Sequence, residues 1–238
     1  MKFYLTGSQE NSLYHDALNF AGISDTSQFP VVEFTRNANN WYRKADSWIW
    51  EATGTWEFDD SNWTTLPIAT TTLVASQNDY ELPSTARKVD RIEVLDSNAD
   101  YKLLKALDKS QIKTALSEFY ETDGLPAYYD MVGRSIMLYP APATGNVTLA
   151  AGLKVYYARD INEFAITDTN SEPGFDNHFH RIISLGAAYD YCLANGVDDR
   201  KTGIKNELKE LKTELIKHYG FRHRDMKPRF IPKDVDGI

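Results

Sequence analysis

The chain has 238 residues, 42% of them hydrophobic, 25% charged and 13% aromatic, with a formal net charge of −8. A chain of this size and composition buries a real core, which excludes a disordered segment, and nowhere do the roughly 18 consecutive apolar residues of a membrane span stand together. Its start, MKFYLTGSQENS, lacks the apolar run of a signal peptide, so the expectation is a protein made and used in a cytoplasm.

In chain order, SLYHDALNFAG (12–22) opens on a serine able to cap a helix and closes on a glycine able to end one, with Leu13, Ala17, Phe20 and Ala21 at helical spacing. After Pro30, VVEFTRNANNWYRKADSWIWEAT sets Phe34, Ala38, Trp41, Ala45, Trp48 and Ala52 at steps of 4, 3, 4, 3 and 4, which predicts a long helix with one deep apolar stripe. Between about Thr64 and Asp160 the texture turns to Thr, Val and Tyr, broken by Pro, Gly, Asn and Asp. TTTLVAS, RKVDRIEVLD, AYYDMVG, SIMLYP and VTLAAGLKVYYARD read as strands. The slip in alternation at Asp90 and Arg91 predicts a bulge, and AYYDMV and SIMLY form a scaffold hairpin about Gly133-Arg134, bounded by Pro126 and Pro140. KSQIKTALSEFYE (109–121) reads as a helix lying across the sheet.

Helical texture returns with Phe179, Ile182, Ile183, Gly186 and Ala187, breaks at NGVDD, and resumes near Arg200, where Ile204, Leu208, Leu211, Leu215 and Tyr219 recur at helical steps as far as Gly220. The expected fold is α+β: a helical bundle formed by N- and C-terminal helices, with an inserted β-rich domain. Its parts are residues 1–62 (first helices), 63–165 (β-rich insertion), 166–219 (last helices) and 220–238 (an extended tail). Phe34, Trp41, Trp48, Phe179, Ile183, Leu208, Leu211 and Leu215 are the expected helix-packing residues.

Chemistry is sparse. One cysteine, Cys192, forbids an internal disulfide, and Tyr191 and Leu193 beside it predict a packed thiol. His178 and His180 point about 200° apart on a helix and lack a Cys or HExxH partner, so they read as first-turn residues with Asp176 near the cap. Glu118 with Glu121, or Asp59 with Asp60, offers paired carboxylates of the kind any chain with 34 acids contains. No GxSxG, Walker or GxGxxG pattern occurs, so neither a catalytic site, a metal nor a cofactor is expected. Trp56 and Trp63 lie beyond the long helix and leave open a sugar-stacking surface.

Charge is split along the chain. Residues 200–238 hold eleven Lys and Arg against six Asp and Glu, a net +5, and residues 1–199 hold 15 against 28, a net −13. So acidic a body argues against tight wrapping of nucleic acid, whose phosphates need clustered Lys and Arg. The tail interleaves Arg222, Arg224, Lys227 and Arg229 with Phe221, Phe230 and Ile231, too apolar for a bare solvated terminus, and reads as a segment that docks on another protein.

The order of elements resembles the head-to-tail adaptor (connector) proteins of tailed bacteriophages. The residues that carry it are the helix with Arg36, Asn40 and Trp41, GLPAYYDMVGRSIMLYPAP followed by VYYARD, then EPGFDNHFHRIISLGAAYDYCLANG, and a charged closing helix with a tail. That resemblance implies a homo-oligomeric ring, a dodecamer by match to the portal protein. It also implies a carboxyl-terminal segment reaching the portal, contact with the next tail or nozzle protein, and passing genomic DNA touched only weakly. The place of work is then the head-to-tail junction of the virion, with no membrane. Two other classes stay open: a tail-associated cell-wall hydrolase using Glu118, Glu121 or Asp59, and a carbohydrate-binding module using Trp56 or Trp63.

Overall fold

The computed structural model describes residues 12–53, 68–111 and 122–222. The paired carboxylates Asp59, Asp60, Glu118 and Glu121, the tryptophans Trp56 and Trp63, and residues 223–238 lie outside the described residues. Of the helix expected over 109–121, only a 3-10 turn, Lys109–Gln111, falls within them. The chain divides into two compact units, one of Met1–Trp63 with Ile161–Ile238 and one of Thr64–Asp160.

The first unit is helical. Its α1 (Leu13–Ala21) is capped by Ser12, whose hydroxyl accepts from His15 N at 3.2 Å, and it ends at Gly22 with φ of +75°, a conformation that glycine adopts without steric cost. Helix α2 (Val31–Thr53) starts after Pro30, whose carbonyl accepts from Phe34 N at 3.0 Å. Helix α3 (Arg181–Asn195) stops at Gly196, again left-handed, and α4 (Asp198–Arg222) begins two residues later. Helices α1 and α2 pack against α3, and α2 and α3 against α4, around one core holding Tyr14, Phe34, Ile49, Ile183, Leu208 and Leu215. The halves of this bundle are separated in sequence by the β-rich insertion, and the fold is α+β. The row expected on α2 drifts: Ile49 is fully buried where the spacing pointed to Trp48, and Trp48 is only partly buried, with the Lys212 ammonium 4.9 Å from its ring centre. Helix α4 continues through Gly220, so Phe221 and Arg222 belong to its last turn and not to a tail.

The second unit is two facing sheets. One has the order β1 (Ile68–Thr71), β10 (Leu153–Arg159), β3 (Ala86–Leu95) and β4 (Tyr101–Leu103), antiparallel throughout. The other has the order β2 (Asp79–Glu81), β8 (Ser135–Tyr139), β7 (Tyr128–Val132) and β5 (Lys105–Ala106), and β6 (Asp123–Gly124) pairs with β9 (Ala141–Pro142) beside them. Ile92, Val94, Leu153 and Val155 from the first sheet meet Tyr80, Ile136 and Leu138 from the second in one cluster. Strand β3 slips register where Tyr156 faces Arg91 but Tyr157 faces Val89, which leaves Asp90 unmatched at the bulge its sequence predicts. The β7–β8 hairpin turns on Gly133 and Arg134, with Gly133 at φ of +62°, the first central position where glycine suits a tight hairpin turn. VTLAAGLKVYYARD is a strand only from Leu153. Its first half turns at Ala151, φ of +50°, and Gly152, where any Cβ would overlap the Thr148 carbonyl oxygen, so a turn overrides the β preference of Val, Thr and Leu.

Trp41 joins the two halves of the bundle. Its indole lies on Gly186, and its Nε1 donates to Asp190 Oδ2 at 2.9 Å, one helical turn further along α3. Burial raises the Asp190 carboxyl above its ordinary range, opposed by the Trp41 hydrogen bond and by Lys44 and Arg36. Cys192 is buried on the same helix, and burial raises its thiol as well.

Substitutions at Gly186, Gly203 and Asp190 test this packing. A Gly186→Ala chain must push a methyl group into the indole and should lose about 3 kcal/mol in urea unfolding followed by tryptophan fluorescence. Gly203→Ala, on α4 with open space around it, should instead gain roughly 0.5–1 kcal/mol by helix propensity. At Asp190, a folded-state value above the unfolded one means that ionisation costs stability. The cost is absent below the unfolded value of about 3.9 and complete above the folded value. Asp190→Asn keeps an acceptor for Trp41 and should therefore gain on the wild type as pH rises from acid to neutral. Asp190→Ala leaves the indole N–H without its acceptor and should lose about 1–3 kcal/mol at pH 7.

Candidate functional site

The packing stripe of α4 runs Ile204, Leu208, Leu211, Leu215 and Tyr219, of which Leu211 is partly buried and the others buried. Its other face is charged, with Lys209, Glu210, Glu214 and Lys217 flanking a shallow hollow. The end of this helix is tied to the loop before α3. Asp176 N donates to the Tyr219 hydroxyl at 2.9 Å, and Tyr219 is 1% exposed. The Asp176 carboxylate lies 3.4 Å from His218 Nε2, accepts from His178 N at 3.0 Å, and so caps the 3-10 turn Asn177–Phe179. Those backbone and histidine contacts, the His178 N–H first, hold its pKa below the ordinary carboxylate value. The His218 ring also leans on Phe179, centroids 5.3 Å apart. His180 is turned inward, Nε2 donating to the Phe175 carbonyl at 2.8 Å. The histidines thus serve the loop, and among the described residues no group of three or more His, Cys, Asp or Glu side chains is placed to hold a metal.

The rest of that loop is pinned in the same way. Asn39, buried on α2, forms a two-point amide pair with the Phe164 backbone, donating to its carbonyl and accepting from its N–H, both at 2.9 Å. Gly174 N donates to the Tyr42 hydroxyl at 2.7 Å, and the Tyr42 ring stacks on Phe164. Arg43 pairs with Glu163 at the surface. The arrangement positions a helix end and leaves no nucleophile beside a base. It holds the Tyr219 end of α4 against the loop before α3.

Of the residues assigned to docking, Phe221 is 57% exposed on the last turn of α4, Arg222 closes that helix, and Arg224, Lys227, Arg229, Phe230 and Ile231 lie outside the described residues. Of the helix-packing set, Phe34, Trp41, Phe179, Ile183, Leu208 and Leu215 are buried in one core, against which Trp48 and Leu211 pack. Sequence reasoning missed Asn39, Tyr42 and Tyr219 as loop anchors, because each bonds a backbone group far off in the chain.

The sheet unit offers a different kind of surface. Its β7 strand shows Tyr128, Met131 and Val132 to solvent, and β4 shows Tyr101 and Leu103. Between the edge strands β1 and β2 lies a hollow of about 300 Å³ lined by Ala69, Thr71, Tyr80, Leu82 and Val155. In the turn after β3, Asp96 accepts from the N–H groups of Asn98 and Asp100, both at 2.9 Å, and meets Lys102 at 3.3 Å, which lowers its pKa.

The sequence matches a family model described as SU10 adaptor protein over residues 21–223. No curated protein matches it. The matched range takes in α2, α3, α4 and both sheets, with only the last residue of α1, and the chain accordingly belongs to the SU10 adaptor protein family, the adaptors of the phage head-to-tail junction.

Proposed function

We propose that copies of this chain form a closed ring beneath the portal, twelve to match it, with the genome passing through the central channel. Residues 223–238 anchor the ring to the portal protein, and the opposite side receives the next tail or nozzle protein. The ring performs no catalytic step and needs no cofactor. It works in the virion at the head-to-tail junction, after synthesis in the host cytoplasm.

The observation that carries this reading is the fixed end of α4, where Tyr219, His218 and Asp176 lock the helix to its neighbouring loop. A docking segment binds more tightly when its root is already ordered, because less conformational entropy is lost on binding. The net −13 of residues 1–199 supports a channel that repels phosphate at short range and holds DNA only weakly. The residues that a hydrolase or a sugar-binding module would use, Glu118, Glu121, Asp59, Trp56 and Trp63, lie outside the described residues, and no observation favours either.

The test mixes cognate portal rings at moderate salt with the full chain or with a chain ending at Arg222, which keeps the whole of α4. Sedimentation and negative-stain images then report binding. The full chain should add a ring of density to the portal and the shortened chain should not. Equal binding by both would remove the tail as anchor, and binding by neither would remove the portal as partner.

A further inference from the structure

Sheet edges are normally guarded, because an unpaired row of N–H and C=O groups recruits any passing strand. Among the described residues, strand β1 is an edge without such a guard. It lies in the stretch 61–78, which carries no charged residue, although a quarter of the whole chain is charged. No proline falls within β1, and among the described residues it pairs only with β10. Strand β4, at the other edge of the same sheet, pairs only with β3 among the described residues.

The two edges are complementary in three respects. Strand direction alternates across the sheet, so placing β4 of one copy beside β1 of the next keeps the pairing antiparallel. Face also matches. Ile68 lies opposite Tyr156, Tyr156 opposite Arg91, and Leu103 opposite Glu93, whereas the core residues Ile92, Val94 and Val155 point the other way. Ile68 and Leu103 therefore sit on the same outer face of the sheet, at opposite edges, and are 46% and 53% exposed. Tyr101, two residues from Leu103 and on that same face, is 37% exposed. Finally, three strand spacings, about 14 Å, separate the edges. They cannot meet within one copy, and a contact between them is head to tail, the type that generates rings.

We propose that β1 of one copy pairs along its free edge with β4 of the next, Ile68 opposite Leu103 and Thr70 opposite Tyr101, so that the four-stranded sheet continues from subunit to subunit. The occupant of each edge is a second copy of this chain. The proposal rests on the ring reading above and specifies which strands close the ring.

Ile68→Cys and Leu103→Cys are introduced singly and together in the full chain, mixed with portal rings and oxidised. The buried Cys192 stays in place. Residues opposite each other in antiparallel strands have Cα atoms about 4.5–5.5 Å apart, within disulfide reach. The double variant should give a ladder of covalent multimers on a non-reducing gel, up to the full ring, and neither single variant should give one. In a second arm, Ile68→Lys and Leu103→Glu should each reduce ring formation at least tenfold with the unfolding midpoint unchanged, and together should restore it. Rings visible in negative stain without a ladder would overturn the edge pairing and leave the ring standing. Covalent dimers from a single variant would overturn it as well, since like edges would then be meeting. Absence of any multimer, with portal or without, would remove the ring itself.

Discussion

The indole of Trp41 rests on bare backbone at Gly186 while its N–H reaches Asp190, and through this contact two helix pairs that are far apart in sequence become one bundle. Most of the architecture depends on it. A β-rich insertion of nearly a hundred residues separates α2 from α3. Closing so long a loop has an entropic cost that grows only slowly with length, so the insertion is tolerable if the helices recognise each other strongly on return. A large aromatic face set against a glycine gives that recognition shape as well as area, because a Cβ at this position would overlap the indole unless the ring moved. The hydrogen bond adds direction, and the aspartate in its partly buried place ties the junction's strength to its state of ionisation.

The two units are stabilised by different means. The helical unit has a single core rich in tyrosine and phenylalanine, and its tyrosine hydroxyls are spent on loop backbone: Tyr14 on Phe29, Tyr42 on Gly174, Tyr219 on Asp176. The sheet unit has a thinner core and depends on pairing, with strands as short as two residues completed by their neighbours. Much of its apolar surface stays outside, on β4 and β7. The division leaves apolar strand surface exposed on one unit, while the other gathers its aromatic residues into a single core.

Much of the helical unit is legible in sequence because its signals are local. Ser12 and Gly22 cap α1, Pro30 opens α2, Gly196 closes α3, and the 3.6-residue period marks the buried face of each helix. The bulge at Asp90 shows in the alternation of its own strand. Strands β4, β5, β6 and β9 are not legible, since two or three residues carry no period and owe their conformation to a partner strand. The turn at Ala151 and Gly152 hides behind β-forming neighbours. For the candidate surfaces, the stripe of α4 can be read from spacing. The pinning of its end cannot, because the hydroxyl of Tyr219 meets a backbone N–H 43 residues away. That β1 lies on an edge is shown only by the order of strands in its sheet.

The amide pair between Asn39 and Phe164 has a mechanical consequence. The chain leaves the last strand of the sheet unit at Arg159 and is clasped by α2 within five residues. Tension drawn through that segment would load two parallel hydrogen bonds at once, backed by the ring of Tyr42 stacked on Phe164, before it reached the hydrophobic core. Bonds loaded together share a force that would break them one by one if they were met in series.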